Sequence, residues 1–284
     1  MQLVSTIGEW RAFCDAARLA NKRVGLVPTM GALHEGHASL MRQAREVCDV
    51  VVATIFVNPR QFNQASDLAL YPRTPEADEA LARKNGVDLL VTPTVDEMWP
   101  AFPAPVATTV SVAGVSDQFE GAGRPGHFDG VASVVAKLFN VTGPCAAFFG
   151  EKDFQQVAVL RQMVSDLAFD VEIVACPIVR EENGLARSSR NVRLSPEGRA
   201  QALALSASLQ AASAEVASAS TLRYRMRKVL ETAGVEVVYA EIVDPQTLVP
   251  VGDHESGQRR ALVCAMVEGV RLLDNGPVVV EGDK

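Results

Sequence analysis

Features of exported, membrane-bound and zinc-binding proteins are missing from this sequence. The chain has 284 residues and five cysteines, and no two cysteines form a CxxC pair that would hold zinc. Its first residues, Met1 to Ser5, lack the basic and apolar segments of a signal peptide, and no apolar run reaches membrane-spanning length. We therefore expect a cytoplasmic protein with reduced, mostly buried cysteines. The cysteines are Cys14, Cys48, Cys145, Cys176 and Cys264.

A surplus of positive charge is missing as well. The formal net charge is −7 and the isoelectric point is near 5.2, so the chain lacks the broad basic surface that attracts nucleic acid. Hydrophobic residues make up 48% and charged residues 21% of the sequence, a balance typical of globular proteins. The sequence thus favours a small ligand held by a few local cations, and it predicts neither a nucleic-acid partner nor a membrane partner.

The order of apolar segments predicts the fold of the first domain. Apolar, β-branched runs alternate with helical patterns, as in an α/β protein with a parallel sheet and crossover helices. Helices are expected near residues 75–85, over 131–140 with Asp129 as the cap, and from about Phe154. The sequence therefore predicts a Rossmann-like domain over residues 1–188. Its predicted strands cover residues 24–27, 50–57, 87–91, 146–149 and 171–175.

The pattern changes after Arg193. Ser195 is a suitable helix cap, and Pro196 suits the first helical position. A second helix is expected over residues 221–232. Runs at 235–243, 260–267 and 270–273 are typical of a small antiparallel sheet. We expect a small C-terminal α+β domain over residues 189–284, which acts as a lid.

His34, Glu35, Gly36 and His37 form an HxGH motif between the first predicted strand and an amphipathic helix. A helix N-terminus offers backbone N–H groups and a partial positive charge to phosphate. The two imidazoles can add donors to the same oxygens, and glycine at position 36 lets the backbone approach a ligand closely. The alternative is that one histidine only caps the helix and the other lies on the surface. The position of the motif favours phosphate binding.

The HxGH motif after a first strand resembles the nucleotidyltransferase superfamily. The longer run from Pro28 to His37 resembles one member family, the pantoate–β-alanine ligases, also called pantothenate synthetases. The resemblance is dense from Val24 to Arg199 and looser beyond. Further similar motifs follow in the same order: residues 56–59 with 61–62, residues 71–74, residues 120–121 with 124–128, residues 150–156 and residues 188–191.

This resemblance implies an ATP site at the end of the sheet. Among its residues, His34, His37 and Lys152 are implied to be catalytic. Arg187 stands where the family commonly has an apolar residue, and it either strengthens phosphate binding or faces solvent. The residues implied to bind ATP are Met30, Gly31, Ala32, Leu33, His34, Glu35, Gly36, His37, Gly150, Glu151, Lys152, Asp153, Val179, Arg187, Ser188, Ser189 and Arg190.

The resemblance also implies a site for pantoate. Gln61 and Gln156 are implied to hold its carboxylate and hydroxyls, because amides both donate and accept hydrogen bonds. Met30 and Phe62 are expected to pack against its methyl groups. Asp78 is a candidate Mg²⁺ ligand, although a helical aspartate is often only a solvated charge.

The implied reaction is the ATP-dependent condensation of pantoate with β-alanine through a pantoyl adenylate, with release of AMP and pyrophosphate, by a homodimer that uses Mg²⁺. The main alternative is an adenylyltransferase that transfers AMP to a nucleotide-type acceptor and leaves it there. An enzyme that charges tRNA conflicts with the acidic chain. A nucleotide sensor without activity would be expected to lack some of His34, His37, Lys152 and Arg190, and all four are present.

Overall fold

The computed structural model describes residues 1–282, and the chain forms two compact units. The first unit comprises Met1–Glu151 and Gln155–Pro177. The second comprises Lys152–Phe154 together with the described residues from Ile178 onward. The division thus falls after position 177, whereas the sequence suggests a boundary between residues 188 and 189. The lid role of the C-terminal domain stays a prediction.

A six-stranded sheet forms the centre of the first unit. Its strands are β1 Gln2–Val4, β2 Val24–Thr29, β3 Val50–Ile55, β4 Leu89–Val91, β5 Cys145–Gly150 and β6 Val171–Cys176. They lie side by side in the order β1-β4-β3-β2-β5-β6, and every neighbouring pair is parallel. The predicted Rossmann-like parallel sheet is confirmed.

Helices cover both faces of this sheet. They are α1 Ile7–Leu19, α2 Glu35–Val47, α3 Ala65–Ala69, α4 Pro75–Lys84, α5 Val95–Met98, α6 Glu120–Gly123, α7 His127–Thr142 and α8 Phe154–Asp166, with a 3-10 turn at Pro59–Gln61. Successive side chains of a strand point to opposite faces. Leu26 accordingly packs in the same core as Phe139, whereas its neighbour Val27 packs in the core that contains Met41.

Two elements of this unit differ from the sequence-based prediction. Strand β1 was not predicted, because its three residues are largely exposed and carry no apolar pattern; its pairing with β4 holds it at the sheet edge. Helix α7 begins at His127 instead of Val131. Asp129 therefore lies in the first turn and does not cap the helix, and the capping position belongs to Gly126 at φ 78°.

The second unit contains two helices and an antiparallel sheet. Ser195 caps its first helix through a hydrogen bond from the Gly198 amide, and Pro196 opens that helix as predicted. Leu222, Met226 and Ala265 share one core. The elements are a 3-10 turn at Ser189–Arg193, α9 Pro196–Ser213, α10 Ala219–Thr232, β7 Glu236–Val243, β8 Gly257–Val267 and β9 Val270–Val280. The strands lie in the order β7-β8-β9.

No cysteine among residues 1–282 forms a disulfide; Cys145 is partly buried and the other four are buried. Burial raises the pKa of the Cys14 and Cys176 thiols to about 11 and that of Cys145 to about 12. No helix among residues 1–282 is both long enough and apolar enough to cross a membrane.

Candidate active site

The HxGH motif lies where the connections of the first sheet change direction. From β2 the chain continues to β3 on one side of the sheet, while β5 pairs with the other side of β2 and leads to β6. In open α/β sheets, ligands bind outside the carboxyl ends of strands at such a point. The loop of residues 30–33, which follows β2 directly, occupies this position.

Asp78 holds this loop from helix α4. Its Oδ2 accepts the Ala32 amide at 2.9 Å, and its Oδ1 accepts the Leu33 amide at 2.7 Å and the Thr74 hydroxyl at 3.0 Å. Gly31 and Ala32 have φ values of 82° and 48°, a region that a side chain disfavours. The carboxylate thus stabilises a strained loop that needs external hydrogen bonds to persist.

These contacts do not support the predicted role of Asp78 as a Mg²⁺ ligand. Its side chain is 2% exposed, and both oxygens already accept hydrogen bonds from donors of the loop and helix. Among residues 1–282, no three His, Cys, Asp or Glu side chains lie close enough to hold a metal ion together. Asp78 therefore holds the loop through its hydrogen bonds, and its role as a Mg²⁺ ligand stays a prediction.

Both histidines of the motif cap helix α2. The Gly36 amide donates to Nδ1 of His34 at 3.1 Å, and the His34 amide donates to Nδ1 of His37 at 3.2 Å. Because each Nδ1 accepts a hydrogen bond, the proton of each neutral ring lies on Nε2. The ring centroids are 4.1 Å apart. The two imidazoles therefore carry their Nε2–H donors side by side. The backbone amides of His34 and Gly36 already donate hydrogen bonds within the cap.

Glycine at position 36 makes room for the His34 ring in the cap of helix α2. A Cβ at Gly36 would lie 2.8 Å from Cε1 and 2.9 Å from Nδ1 of His34. Such distances are too short for non-bonded atoms. The space beside Gly36 is filled by the His34 ring, so the glycine allows that ring to fold back onto its own helix.

A buried amide network follows strand β3. Asn58 is 1% exposed and Gln61 8% exposed. Nδ2 of Asn58 donates to Gln61 Oε1 and to the Gly130 carbonyl, both at 3.1 Å, and Oδ1 of Asn58 accepts the Trp99 indole N–H at 3.0 Å. Gln61 Nε2 then donates to Sδ of Met30 at 3.0 Å. The predicted pantoate residues Gln61 and Met30 are thus brought together.

The backbone of Gln61 is held as firmly as its side chain. Nδ1 of His127 donates to the Gln61 carbonyl at 2.8 Å, and Arg124 lies 3.0 Å from Nε2 of the same imidazole. A Cβ at Gly130 would lie 2.7 Å from Cα of Gln61, so only glycine lets helix α7 pack this closely. Arg124 and His127 therefore support Gln61.

Two adjacent glutamines at the start of α8 have different environments. Gln155 is buried; its Oε1 accepts the Glu120 amide at 3.0 Å, and its Nε2 donates to the carbonyls of Val115 and Gln118. Gln156 is only partly buried, which keeps it suitable for the predicted contact with substrate. Phe62, also partly buried, packs edge-on against Tyr71 with ring centroids 5.6 Å apart.

In the second unit, Lys152 is anchored by strand β9. Nδ2 of Asn275 donates to the Lys152 carbonyl at 2.9 Å, and Oδ1 of Asn275 accepts Nε of Arg260 at 2.8 Å. The Arg260 guanidinium also lies 4.3 Å from the ring centroid of Phe154. The Lys152 ammonium is 3.5 Å from the Asp153 carboxylate. Asn275, which no feature of the sequence singles out, thus fixes the backbone of the predicted catalytic lysine.

Residues 187–190, which the family resemblance implies to bind ATP, form a tight turn in the same unit. The Ser188 hydroxyl oxygen accepts the Arg190 amide at 3.2 Å, which leaves its O–H as a donor. The Arg187 amide donates to the Val179 carbonyl at 2.9 Å, and Arg187 Nε is buried without a hydrogen-bond partner among residues 1–282. Hydroxyl and guanidinium donors are therefore concentrated over residues 187–190.

Comparison with known proteins decides the family. A sequence profile of the pantoate-beta-alanine ligases matches residues 2–277. The chain belongs to the pantoate-beta-alanine ligase family. It is 50% identical over 280 residues to the pantothenate synthetase of Cereibacter sphaeroides, covering 97% of this chain and 99% of the relative. It is 48% identical over 283 residues to that of Paracoccus denitrificans, covering 98% of each.

Solved structures of this family match the same extent of chain. Pantothenate synthetase from Thermus thermophilus has a TM-score of 0.89 at 45% identity, covering 97% of this chain and 99% of that one. The pantoate-beta-alanine ligase of Francisella tularensis, solved in complex with beta-gamma ATP and beta-alanine, has a TM-score of 0.80 at 30% identity, covering 97% of each chain. The predicted family, fold class and ligase class are confirmed, and the adenylyltransferase alternative is not favoured.

Proposed function

We propose that this protein condenses pantoate with β-alanine at the expense of ATP, giving pantothenate, AMP and pyrophosphate. One contact in the first unit carries the proposal. Nε2 of Gln61 lies 3.0 Å from Sδ of Met30, in the loop that leads into His34. An amide suited to a carboxylate is thereby placed beside a loop suited to phosphate. Family membership supports the assignment, as does the relative from Francisella tularensis, which binds beta-gamma ATP and beta-alanine.

The first step is activation of the acid. A carboxylate is attacked by an amine only after its oxygen becomes a leaving group, so a carboxylate oxygen of pantoate attacks the α-phosphorus of ATP and pyrophosphate departs. Negative charge shifts onto the leaving pyrophosphate in this step. The Nε2–H groups of His34 and His37 stabilise that charge, as preorganised donors do in other phosphoryl transfers. No protein nucleophile is needed.

The second step is aminolysis. The free amine of β-alanine attacks the carbonyl carbon of pantoyl adenylate, the amide bond forms, the bond from that carbon to the phosphate oxygen breaks, and AMP leaves; the amine loses a proton. Gln61, Gln156, Met30 and Phe62 hold the pantoyl group through both steps. Their contribution is positioning and exclusion of water from a hydrolysable anhydride.

We assign the remaining phosphate contacts to the second unit. Lys152, Ser188, Ser189 and Arg190 supply an ammonium, two hydroxyls and a guanidinium, groups that pair well with phosphate oxygens. The buried Nε of Arg187 adds a further donor. The other residues proposed to bind ATP are Gly31, Ala32, Leu33, Glu35, Gly36, Gly150, Glu151, Asp153 and Val179.

Three finer assignments belong to the same proposal. Mg²⁺ enters as part of the ATP substrate complex, because Mg²⁺ in nucleotide sites takes most of its ligands from phosphate oxygens and water. The protein works in the cytoplasm, where ATP is available. It forms a homodimer, as the family resemblance implies, and sedimentation of the purified protein measures this directly.

Omission of single substrates tests the reaction. The protein is incubated with ATP, Mg²⁺, pantoate and β-alanine, and AMP and pantothenate are measured with each component left out in turn. Pantoate labelled with heavy oxygen in its carboxylate should transfer one labelled oxygen to AMP. Exchange of labelled pyrophosphate into ATP should need pantoate but not β-alanine. AMP formation that is independent of pantoate would reject the proposal.

A further inference from the structure

A chain of hydrogen bonds in the first unit begins at Trp99 and ends at Gln61. Trp99 is 6% exposed, and its indole Nε1–H donates to Oδ1 of Asn58 at 3.0 Å. Asn58 Nδ2 donates to Oε1 of Gln61 at 3.1 Å, and Gln61 Nε2 lies 3.0 Å from Sδ of Met30. Trp99 follows helix α5 and is 41 residues from Asn58.

The donors and acceptors in this series of hydrogen bonds can be arranged in one direction only. An indole nitrogen is a donor and never an acceptor, so the Asn58 atom that faces it must be the oxygen. The Arg60 amide, also a donor, approaches the same oxygen at 3.3 Å. On the other side of the Asn58 amide, the Gly130 carbonyl can only accept, so Nδ2 must face it. Three groups with fixed roles therefore determine the orientation of this amide.

The orientation of Asn58 determines that of Gln61. Because Asn58 presents a donor, the Gln61 atom beside it is Oε1, and the NH₂ group of Gln61 points toward Met30. A flipped Gln61 would place two NH₂ groups against each other in a buried region, which is unfavourable. Gln61 thus offers a donor, and not an acceptor, beside Met30.

We propose that Trp99 is a positioning residue for the acid substrate, because through Asn58 it fixes the Gln61 amide so that its NH₂ group meets the carboxylate or a hydroxyl oxygen of pantoate. This inference rests on the proposed binding of pantoate by Gln61. Without the indole donor, only the Arg60 amide at 3.3 Å and the Gly130 carbonyl still favour this orientation of Asn58. Asn58 and Gln61 then turn over together in a larger share of molecules, and in those molecules Gln61 presents its carbonyl oxygen to an anion.

The surroundings of Trp99 allow the donor to be removed with little other change. The Arg60 guanidinium lies 4.7 Å and the Lys137 ammonium 5.0 Å from the centroid of its ring. Phenylalanine keeps an aromatic face for both cations. Trp10 provides a matched control, because it belongs to the same core, is fully buried, and has no oxygen or nitrogen acceptor for its indole nitrogen among residues 1–282.

Kinetics of Trp99→Phe and Trp10→Phe test the proposal. In Trp99→Phe the KM for pantoate should rise about tenfold, the change expected when one hydrogen bond to an anion is lost. The KM values for ATP and β-alanine should stay within about twofold, and Trp10→Phe should leave all three near the wild-type values. Equal effects of the two variants on the KM for pantoate, or a rise of all three KM values in Trp99→Phe, would overturn it.

Two further measurements keep the test decisive. If Trp99→Phe does not fold, Asn58→Asp takes its place: the new oxygen forces Gln61 to turn its NH₂ group inward, so an unchanged KM for pantoate would overturn the proposal. Independently of turnover, the NMR signal of the Gln61 side-chain amide is assigned by its absence in Gln61→Glu. At equal saturation with pantoate it should shift in wild type and Trp10→Phe and shift less in Trp99→Phe, whereas equal shifts in all three would overturn the proposal. Wild-type protein that makes no pantothenate would instead reject the proposed function.

Discussion

The backbone amide of Ala32 donates a hydrogen bond of 2.9 Å to Oδ2 of Asp78, a residue 46 positions later in the chain. Ala32 has a φ of 48°, and the next amide, that of Leu33, donates to the other carboxylate oxygen. The loop before the HxGH motif is therefore shaped by helix α4 as much as by its own sequence. The proposed chemistry of His34 and His37 depends on this support.

Replacement of Asp78 by asparagine should disturb the loop. One acceptor becomes an NH₂ group that faces a backbone N–H, so the free energy of unfolding should fall by about 1–3 kcal/mol and pantoate-dependent pyrophosphate exchange should slow. Urea unfolding and the exchange assay measure both effects. Glu79→Gln is the control, since Glu79 makes an exposed ion pair with Arg83 on the same helix. Comparable losses in the control would contradict the role of Asp78.

Replacement of His37 by alanine should affect chemistry more than stability. The adenylation rate should fall by roughly 10²–10³, the usual cost of one donor to developing negative charge. Loss of the contact to the His34 amide should lower the free energy of unfolding by about 1 kcal/mol. Exchange of pyrophosphate and urea unfolding are the measurements, with His254→Ala, a change of an exposed histidine in the second unit, as control. Near-normal exchange in His37→Ala would remove it from the mechanism.

Substitutions of Asn275 and Lys152 should distinguish a supporting residue from a catalytic residue in the second unit. Lys152→Ala should reduce turnover by roughly 10²–10³. It should cost little stability, because the ammonium pairs with the exposed carboxylate of Asp153. Asn275→Ala should lower both turnover and the free energy of unfolding, the latter by about 1 kcal/mol, since the partly buried Lys152 carbonyl and Arg260 guanidinium each lose a hydrogen bond. Gln258→Ala, exposed on the neighbouring strand β8, serves as control. Unchanged turnover in Asn275→Ala would refute the link to Lys152.

Alkaline pH should destabilise the protein through its buried thiols. Burial raises the pKa of Cys14 from 9.0 to about 11 and that of Cys145 to about 12. Above pH 9 the unfolded chain loses these protons while the folded chain keeps them, so the free energy of unfolding falls until pH passes the folded pKa values, by about 1.4 kcal/mol per pH unit for each thiol. Urea titrations from about pH 8 to 11 measure it. Equal slopes for wild type and a Cys14→Ala, Cys145→Ala double variant would contradict this origin.

The sequence correctly predicts the features that depend on residues close together in the chain. The predicted strands at residues 24–27 and 146–149, the Ser195 cap and the antiparallel second sheet follow from apolar periodicity and from local cap chemistry, and the structure contains all of them. Ordered motifs at strand ends were sufficient to predict the family, which the comparisons confirm. The edge strand β1 was missed because three exposed residues have no period to detect.

The sequence does not show the hydrogen-bond partners of a polar residue when those partners are distant in the chain. Asp78 suggested a metal ligand, yet its carboxylate accepts amides from a loop 45 and 46 residues away. Nothing in the sequence separates Gln155, whose side chain holds the Glu120 amide 35 residues away, from Gln156. An Asn-Pro pair after a buried strand was the one available signal for Asn58.

The sequence by itself determined the order of strands and helices and the placing of the polar motifs at strand ends, because both follow from periodicity within a few residues. Tertiary structure decided which atom of each polar side chain is used internally and which is turned toward a ligand. That choice depends on donors such as Trp99 and acceptors such as Asp78, which come near their partners only when separate elements pack together. Hydrogen-bond direction is a property of those pairs and not of either residue alone.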